Sequence, residues 1–334
     1  MGVLYVAGER PRSGATSVVL ALASAWRRAG RKVALAKPVS MVDDDQDAVA
    51  FADASGSGWE APLVAPRGVV DDFLAEAGSR VEAMSGDADV MIVDGLPYAD
   101  AAGEPTPGSA MLAEYLGAKV LIVLPHRHSM EAADITRLQG AYAGSMAGVI
   151  VNGRTAYTGE RGDHAGELFG GANPRLLGVL PELRIMLAPT VRQVVDRLEG
   201  TMYAGASGMD RLVERFLIGG LIMEWGGNYF GRFDDQAVIV RGGRTDIQMS
   251  ALNTPLRALI LTGCDRPSQY VHQRATDLDV PLATVRLNTH ETAAALESLQ
   301  EAVPAVHPDK IAEFAALLEG ALDWPALNAA VGFA

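Results

Sequence analysis

Apolar positions in the first forty residues change from a continuous run to a helical repeat and back. Residues 3–6 are apolar and partly β-branched, which predicts a buried strand. Between residues 16 and 28 apolar side chains recur at steps of three and four, and basic residues precede Gly30, which is typical of a helix and its end. Residues 32–36 predict a second strand. The order is therefore strand, loop, helix, strand.

The strand pattern recurs through the first two hundred residues. Near-continuous apolar runs at 89–94, 119–124, 147–151 and 176–180 alternate with helical stretches, which predicts an α/β domain with a parallel sheet covered on both faces. Ligands of such sheets collect outside the carboxyl ends of the strands. The polar or small residues at those ends are Gly8, Lys37, Asp94, His126 and Asn152. We expect them to share one edge of the sheet.

A second group of strand-loop-helix units follows a linker of small residues at 201–207. Its strands are predicted at 237–240, 258–261 and 282–285, and an amphipathic helix is expected earlier, at 212–223. The sequence thus predicts a first domain over residues 1–200, a second, smaller α/β domain over 208–322 and a C-terminal tail over 323–334.

The loop between the first strand and helix has the composition of a phosphate cradle. The candidate residues are Gly8, Arg12, Ser13, Gly14, Thr16 and Ser17, whose backbone N–H groups and helix dipole would face an anion. The spacing resembles a slightly stretched P-loop, but Ala15 stands where a P-loop carries its lysine. Arg10 or Arg12 is a candidate substitute for that cation; the alternative is that both are solvated.

Polar and charged residues near this loop are candidates for binding a metal ion or transferring protons. Thr16 and Asp94 are the candidate ligands of Mg²⁺, with ATP or another nucleotide as the expected ligand of the domain. The acidic residues at 43–47 either support Mg²⁺ through water or form an acidic first turn of a helix. His126 and His128 are a proton shuttle, ligands, or exposed loop residues without a role.

The second domain offers another anion-binding edge. The candidate binding residues are Arg244, Thr245, Asp246, Thr262, Gly263 and Thr289, all in loops that follow strands. The alternative is structural, because Thr245, Thr262 or Ser268, and Thr289 are also natural N-caps.

Overall charge and composition narrow the class of partner. The net charge of −13 and a pI near 4.9 disfavour nucleic acid and anionic membranes as partners. A single cysteine, Cys264, fits a reducing compartment, and no apolar run of about 20 residues is present. The expectation is a cytoplasmic protein with no metal-ligand spacing readable from its few histidines.

The order of the motifs resembles the regulatory N-terminal region of long bacterial phosphate acetyltransferases, and free-standing proteins with the same layout. In the first domain the resemblance rests on SGATSVVL (13–20), AKPV (36–39), VDG (93–95), GVIVN (148–152), LGVLPE (177–182) and LAPTV (187–191). In the second it rests on GGRTD (242–246), LTG (261–263), THET (289–292) and PDKI (308–311). This resemblance implies a dethiobiotin-synthetase-like P-loop domain followed by a DRTGG domain.

The sequence departs from this pattern at four places. Active dethiobiotin synthetases carry lysine where Ala15 lies, whereas Lys37 matches a lysine that contacts phosphate and substrate in those enzymes. In the DRTGG-like loops, Gly243 replaces an acidic residue, Cys264 replaces a glycine and Asn288 replaces an aspartate. The catalytic domain of the acetyltransferases would follow this region, so we expect this chain not to transfer acetyl groups by itself.

Three hypotheses follow. The leading one is a non-catalytic nucleotide- or metabolite-binding regulatory protein, forming homo-oligomers and acting on a partner enzyme of acyl-phosphate or CoA metabolism. The second is an ATP-dependent ligase resembling dethiobiotin synthetase, with Gly14, Thr16, Lys37 and Asp94 at its centre. The third is a structural scaffold whose loops bind no ligand.

Overall fold

The protein folds into two compact units. The computed structural model describes residues 2–41, 45, 47–48, 51, 62–64, 71–127, 131–142, 144–155, 169, 174–220, 226–299 and 303–333. Unit 1 combines Met1–Leu183 with Pro304–Ala334, and unit 2 is Arg184–Val303. Unit 1 is therefore built from both ends of the chain.

Unit 1 contains a parallel sheet. Its strands are β1 (Gly2–Gly8), β2 (Val33–Ala36), β5 (Val90–Asp94), β6 (Lys119–Pro125), β7 (Met146–Arg154) and β8 (Leu176–Pro181), and the short strands β3 (Val39–Ser40) and β4 (Leu63–Val64) pair with each other. The order in the sheet is β2-β5-β1-β6-β7-β8, and every pairing is parallel. All five residues of β5 are buried, as expected for a strand covered on both faces.

Helices cover this sheet. They are α1 (Ala15–Arg28), α2 (Asp71–Ser85), α3 (Pro107–Tyr115), α4 (Ala132–Ala141), α10 (Pro308–Ala321) and α11 (Trp324–Ala330). The helix α1 ends as its sequence predicts, with Arg27 and Arg28 in the last turn and Gly30 in a left-handed conformation at φ 82°. Because β1 lies between β5 and β6, the loop before α1 emerges beside the carboxyl ends of both neighbours.

Unit 2 has a five-stranded sheet in the order β10-β11-β12-β13-β9 among its described residues. The strands are β9 (Thr201–Ala204), β10 (Arg215–Ile218), β11 (Gln236–Arg241), β12 (Ala258–Thr262) and β13 (Leu282–Val285), and the helices are α5 (Val191–Arg197), α6 (Gly226–Phe230), α7 (Thr245–Ala251), α8 (Gln269–Asp277) and α9 (Thr289–Glu297). Strands β10 to β13 are parallel, whereas β9 pairs with β13 in the antiparallel direction. The predicted α/β class is confirmed in both units.

The unit boundaries differ from the domain limits expected at residues 200 and 322. Residues 184–200 belong to unit 2, because the apolar face of α5, with Val191, Val194 and Val195, packs into the same buried cluster as Ile239 of β11. Residues 304–334 belong to unit 1 instead of ending the second domain.

The helix expected over residues 212–223 is wrong at its centre. Residues 215–218 form β10, which pairs in register with β11 from Arg215 opposite Gln236 to Ile218 opposite Ile239. Pairing with a buried strand overrides the local helical pattern here, as tertiary context commonly does.

Candidate phosphate-binding site

The loop from Glu9 to Gly14 has a left-handed backbone at two positions. Gly14 has φ 93°, and a Cβ placed there would lie 2.3 Å from Nδ2 of Asn152. Arg12 is left-handed as well, at φ 65°, a conformation that costs a non-glycine residue roughly 1–2 kcal/mol. Only glycine fits at position 14, both for its dihedral angle and for the approach of Asn152.

Hydrogen bonds hold this loop in shape. The Asn152 amide donates from Nδ2 to the carbonyl oxygen of Ser13 at 3.0 Å, so a side chain of β7 holds the loop in place. The Ser13 hydroxyl donates to the carbonyl oxygen of Arg10 at 2.7 Å. Helix α1 then begins after Gly14 without a side-chain cap, which leaves the amide groups of its first turn suited to an anion.

A buried ion pair lies beside the loop. The Lys37 ammonium donates to Oδ2 of Asp94 at 2.7 Å, and the Thr16 hydroxyl donates to the same oxygen at 2.9 Å. Asp94 is 2% exposed and Lys37 is 9% exposed. The structure therefore brings Thr16, Lys37 and Asp94 together. The shared sheet edge predicts the approach of Lys37 and Asp94, which follow or end neighbouring strands, and Thr16 joins them from the start of α1.

Further carboxylates surround the Lys37 ammonium. Asp45 lies 3.4 Å from Nζ, and its position is set by the Ser40 hydroxyl, which donates to Oδ2 of Asp45 at 2.8 Å. Burial alone would lower the pKa of Lys37, but the charges of Asp94 and Asp45 outweigh it and raise that pKa above its ordinary value. Lys37 is thus held as a cation. Of the acidic cluster at 43–47, residues 43, 44 and 46 lie outside the described residues.

The donor set at Asp94 does not fit the Mg²⁺ expected for a P-loop domain. Mg²⁺ binds carboxylate oxygens at about 2.1 Å, so an ion on Oδ2 of Asp94 would lie within about 5 Å of the Lys37 nitrogen. Two cations would then compete for one oxygen. Within the described parts of the chain, no group of three or more His, Cys, Asp or Glu side chains is placed to hold a metal.

An ion pair that sequence reasoning missed joins the loop to β6. Glu9 is 6% exposed, and its Oε1 accepts a hydrogen bond from Arg127 at 2.7 Å. Arg127 also lies 3.5 Å from Asp134 on α4. Glu9 follows the carboxyl end of β1 and Arg127 follows that of β6, so the shared sheet edge was the signal that could have revealed this pair. The neighbouring His126 donates its backbone N–H to Asn152, and His128 lies outside the described residues.

Hydroxyl groups fix the chain just after Asp94. The Tyr5 hydroxyl accepts a hydrogen bond from the Leu96 amide at 2.9 Å, and Ser109 donates to the Leu96 carbonyl at 2.6 Å. Burial raises the pKa of Tyr5. A Cβ at Gly95 would lie 2.2 Å from the Tyr5 ring, so a larger residue there would require the ring or the adjacent backbone to move. This network fixes the backbone next to the Asp94 carboxylate.

In unit 2 the structure brings part of the second candidate set together. The Thr262 and Thr289 hydroxyls are hydrogen-bonded at 2.9 Å. Gly263 is left-handed at φ 64°, and its amide donates to carbonyl oxygens of Val285 and Leu287. These contacts join the ends of β12 and β13 through the first turn of α9.

The remaining candidates of unit 2 pair with each other. Arg244 and Asp246 form two hydrogen bonds at 2.9 and 2.8 Å on an exposed surface. The capping expectation for Thr245 and Thr289 is wrong, because each is the first residue inside its helix. Asn288 caps α9 instead, accepting from the amides of His290 and Glu291. Ser268 is at the N-cap of α8 but makes no capping hydrogen bond.

Comparison with protein families agrees with this architecture. A sequence model described as an AAA domain matches residues 3–190, more than half of the chain. The chain belongs to this AAA-domain family. A second model, the DRTGG domain, matches residues 193–299.

Among curated proteins, the phosphate acetyltransferase of Nitrosomonas europaea is 25% identical over 323 residues, covering 87% of this chain and 46% of that protein. The chain thus spans about half the length of this relative. With the two domain matches, this confirms the resemblance to the N-terminal region of phosphate acetyltransferases.

Solved structures also match parts of the chain. The MinD cell division protein of Aquifex aeolicus is 19% identical, with 55% of this chain and 83% of that chain covered and a TM-score of 0.38. The CBS and DRTGG domains of a Clostridium perfringens pyrophosphatase, a structure with the activator diadenosine tetraphosphate, are 14% identical over 35% of this chain and 48% of that chain, with a TM-score of 0.30. Among the described helices, none is both long and apolar enough to span a bilayer.

Proposed function

We propose that this chain is a regulatory protein whose P-loop domain binds the phosphate group of a nucleotide or related metabolite without hydrolysing it. The observation that carries the proposal is the pairing of Lys37 with buried Asp94 beside a loop that has Ala15 in the lysine position. The left-handed backbone at Arg12 and Gly14 and the uncapped start of α1 support the phosphate-binding part of the proposal. The lysine that would stabilise a transferring phosphoryl group is missing from the loop.

The proposed partner is an enzyme of acyl-phosphate or CoA metabolism, by analogy with the acetyltransferase that this chain resembles. The protein itself is proposed to form a homo-oligomer. In support of an assembly, the edge strand β10 carries Ile218, whose side chain is 45% exposed. Light scattering after size-exclusion chromatography, at two concentrations, tests this; a strictly monomeric mass contradicts it.

Thermal shift against a nucleotide panel tests the binding proposal. The purified chain is screened with ATP, ADP, AMP, GTP, NADH, acetyl-CoA and cyclic dinucleotides. A ligand at about 100 times its dissociation constant stabilises the folded state by about 2.7 kcal/mol, which raises Tm by several degrees. If no compound raises Tm, the loops bind nothing in this panel and the scaffold hypothesis replaces the proposal.

A turnover assay separates sensing from catalysis. We expect no release of phosphate from ATP in buffer containing Mg²⁺. Turnover that disappears in Lys37→Ala would contradict the proposal.

The ligase remains the second candidate because Thr16, Lys37 and Asp94 are correctly grouped. Under that hypothesis, Ala15→Lys should restore substantial ATP hydrolysis. Under the sensor proposal it should change binding alone.

A further inference from the structure

We propose that the cradle selects a metabolite with a single dianionic phosphate group and binds it without a metal ion. This inference rests on the proposed function and adds two points, namely the charge of the ligand and its binding without a metal ion. It predicts that a nucleoside monophosphate or another phosphate monoester is preferred over the Mg²⁺ complex of a triphosphate.

The first step of the argument is the state of Asp94. One oxygen, Oδ2, accepts both the Thr16 hydroxyl at 2.9 Å and the Lys37 ammonium at 2.7 Å. The two residues expected to hold a metal, Thr16 and Asp94, are therefore already hydrogen-bonded to each other, and Lys37 occupies the same carboxylate oxygen. If a divalent ion replaced the ammonium on Asp94, the nearly buried Lys37 cation would stay beside Asp45 and close to that ion. Charge repulsion between the two cations therefore opposes metal binding.

The second step is the charge available to a ligand. The two less exposed cations beside the loop are Lys37 and Arg127, and each already pairs with two carboxylates. Lys37 pairs with Asp94 and Asp45. Arg127 pairs with Glu9 and Asp134. The further cations on the loop are the more exposed Arg10 and Arg12, and Arg10 also lies 3.8 Å from Glu9.

The third step compares the positive charge at the cradle with the negative charge of each ligand. The dipole of α1 adds roughly half a positive charge at the cradle. Lys37 and Arg127 are each outnumbered by the two acids with which they pair, so the two loop arginines and the dipole leave little net positive charge. This favours a ligand with one phosphate group over one with three. A metal-free triphosphate carries about twice the negative charge of a phosphate monoester, and with Ala15 in the loop it lacks the lysine that P-loop proteins place on the outer phosphates.

Isothermal titration of the full chain tests the inference. AMP, ribose 5-phosphate, inorganic phosphate, ADP and ATP are each titrated in EDTA and in excess Mg²⁺. We expect AMP or ribose 5-phosphate to bind most tightly in EDTA, with an affinity that Mg²⁺ changes less than about twofold. If AMP alone binds, the base is recognised as well; if both monoesters bind alike, the phosphate is sufficient.

The contrary outcomes are distinct. Binding of ATP that requires Mg²⁺, or tighter binding of ATP or ADP than of either monoester in EDTA, overturns this inference and leaves the proposed function standing. Absence of binding by every phosphate compound overturns both.

A variant pair tests the part played by Lys37. In Lys37→Gln the negative charges of Asp94 and Asp45 beside the cradle are no longer offset. They should repel a phosphate dianion, so we expect monoester binding to weaken about tenfold or more. Lys32→Gln is the matched control, because Lys32 is exposed and pairs with exposed Asp87. Unchanged monoester affinity in Lys37→Gln overturns the role given to Lys37.

Mn²⁺ titration followed by electron paramagnetic resonance gives a readout independent of ligand binding. The unmodified chain should bind no Mn²⁺ at this site, whereas Lys37→Gln should gain a bound ion. Tight Mn²⁺ binding by the unmodified chain that Asp94→Asn abolishes overturns the inference, and this arm needs no variant of Lys37 to fold.

Discussion

At the scale of single residues, the contact between Lys37 and Asp94 affects both the stability of unit 1 and the candidate site. Both side chains are nearly buried, and Asp94 would be an uncompensated charge without Lys37, whereas Lys37 would keep Asp45 as a partner. Removing one partner of a buried pair costs far more than the pair contributes, because the desolvation of the remaining charge is no longer offset. The pair is consequently a requirement of the native state as well as part of the candidate site.

Lys37→Met should destabilise the protein by about 3–5 kcal/mol, since Asp94 is left buried without its cation. The exposed pair of Lys32 with Asp87 is a control, and Lys32→Met should leave the free energy of unfolding nearly unchanged. Urea denaturation measures both. Adding Asp94→Asn to Lys37→Met should recover part of the loss; a double variant as unstable as the sum of the single variants would contradict the pairing.

Gly14→Ala should destabilise the loop and abolish phosphate binding. The added Cβ meets Nδ2 of Asn152 at 2.3 Å, and alanine also disfavours φ 93°. Gly30→Ala provides the control, because Gly30 has φ 82° with open space around it and should cost only about 1 kcal/mol. Thermal denaturation and titration with AMP check the pair. If Asn152→Ala does not relieve part of the effect of Gly14→Ala, the steric explanation is wrong.

At the scale of elements, α10 carries a buried lysine in its first turn. Lys310 is 1% exposed, and its ammonium donates to the carbonyl oxygen of Pro304 at 3.0 Å. Burial lowers the pKa of Lys310 to about 8, although the charge of Asp47 opposes this shift. Asp47 in turn accepts a hydrogen bond from the Ala305 amide at 2.9 Å. The start of α10 is therefore tied to the polar residues that follow β2.

This lysine predicts a pH dependence of stability. The folded pKa of about 8 lies below the ordinary value of 10.5, so between these values the unfolded chain binds more protons and stability rises with pH. The increase in the free energy of unfolding is complete above pH 10.5 and is lost as the pH falls towards 8. Comparing the free energy of unfolding with that of Lys310→Met across pH 7.5–10.5 isolates the effect. An identical slope in both proteins would show that Lys310 is not the cause.

At the scale of the whole molecule, the last thirty residues complete the core of unit 1. Trp26 on α1 is 3% exposed and donates from Nε1 to Oδ1 of Asn328 at 3.0 Å. Its ring packs edge-on against Trp324 and Phe333, at centroid distances of 6.4 and 5.4 Å. The two ends of the chain therefore form one unit, with the whole of unit 2 inserted between them in sequence.

Trp26→Ala should weaken unit 1 by about 3–5 kcal/mol and leave unit 2 unaffected. Hydrogen exchange resolves the two units, so amides of β1 should exchange faster while those of β12 keep their protection. Tyr270→Ala is a control, because Tyr270 is 79% exposed and its truncation should change stability by less than about 0.5 kcal/mol. Equal acceleration in β12 would mean that the units unfold together.

Local patterns allowed most of the strands to be predicted. The residues of β5, β12 and β13 form near-continuous apolar runs because both faces of these strands are buried, and this pattern depends on neighbouring residues alone. The pattern was insufficient for β10, where a helical repeat is overridden by pairing with β11. It was also insufficient for α5, whose apolar face is compatible with either sheet.

The sequence by itself determined the α/β class, the glycine loop, the absence of its lysine and the set of polar residues at the strand ends. Only the tertiary structure decided that Thr16 and Lys37 share one oxygen of Asp94, that Glu9 pairs with Arg127, and that α10 returns to unit 1. The physical reason is distance along the chain. Lys37 and Asp94 are 57 positions apart, and the order of strands in the sheet, which brings β2 beside β5 and β5 beside β1, follows from long-range packing.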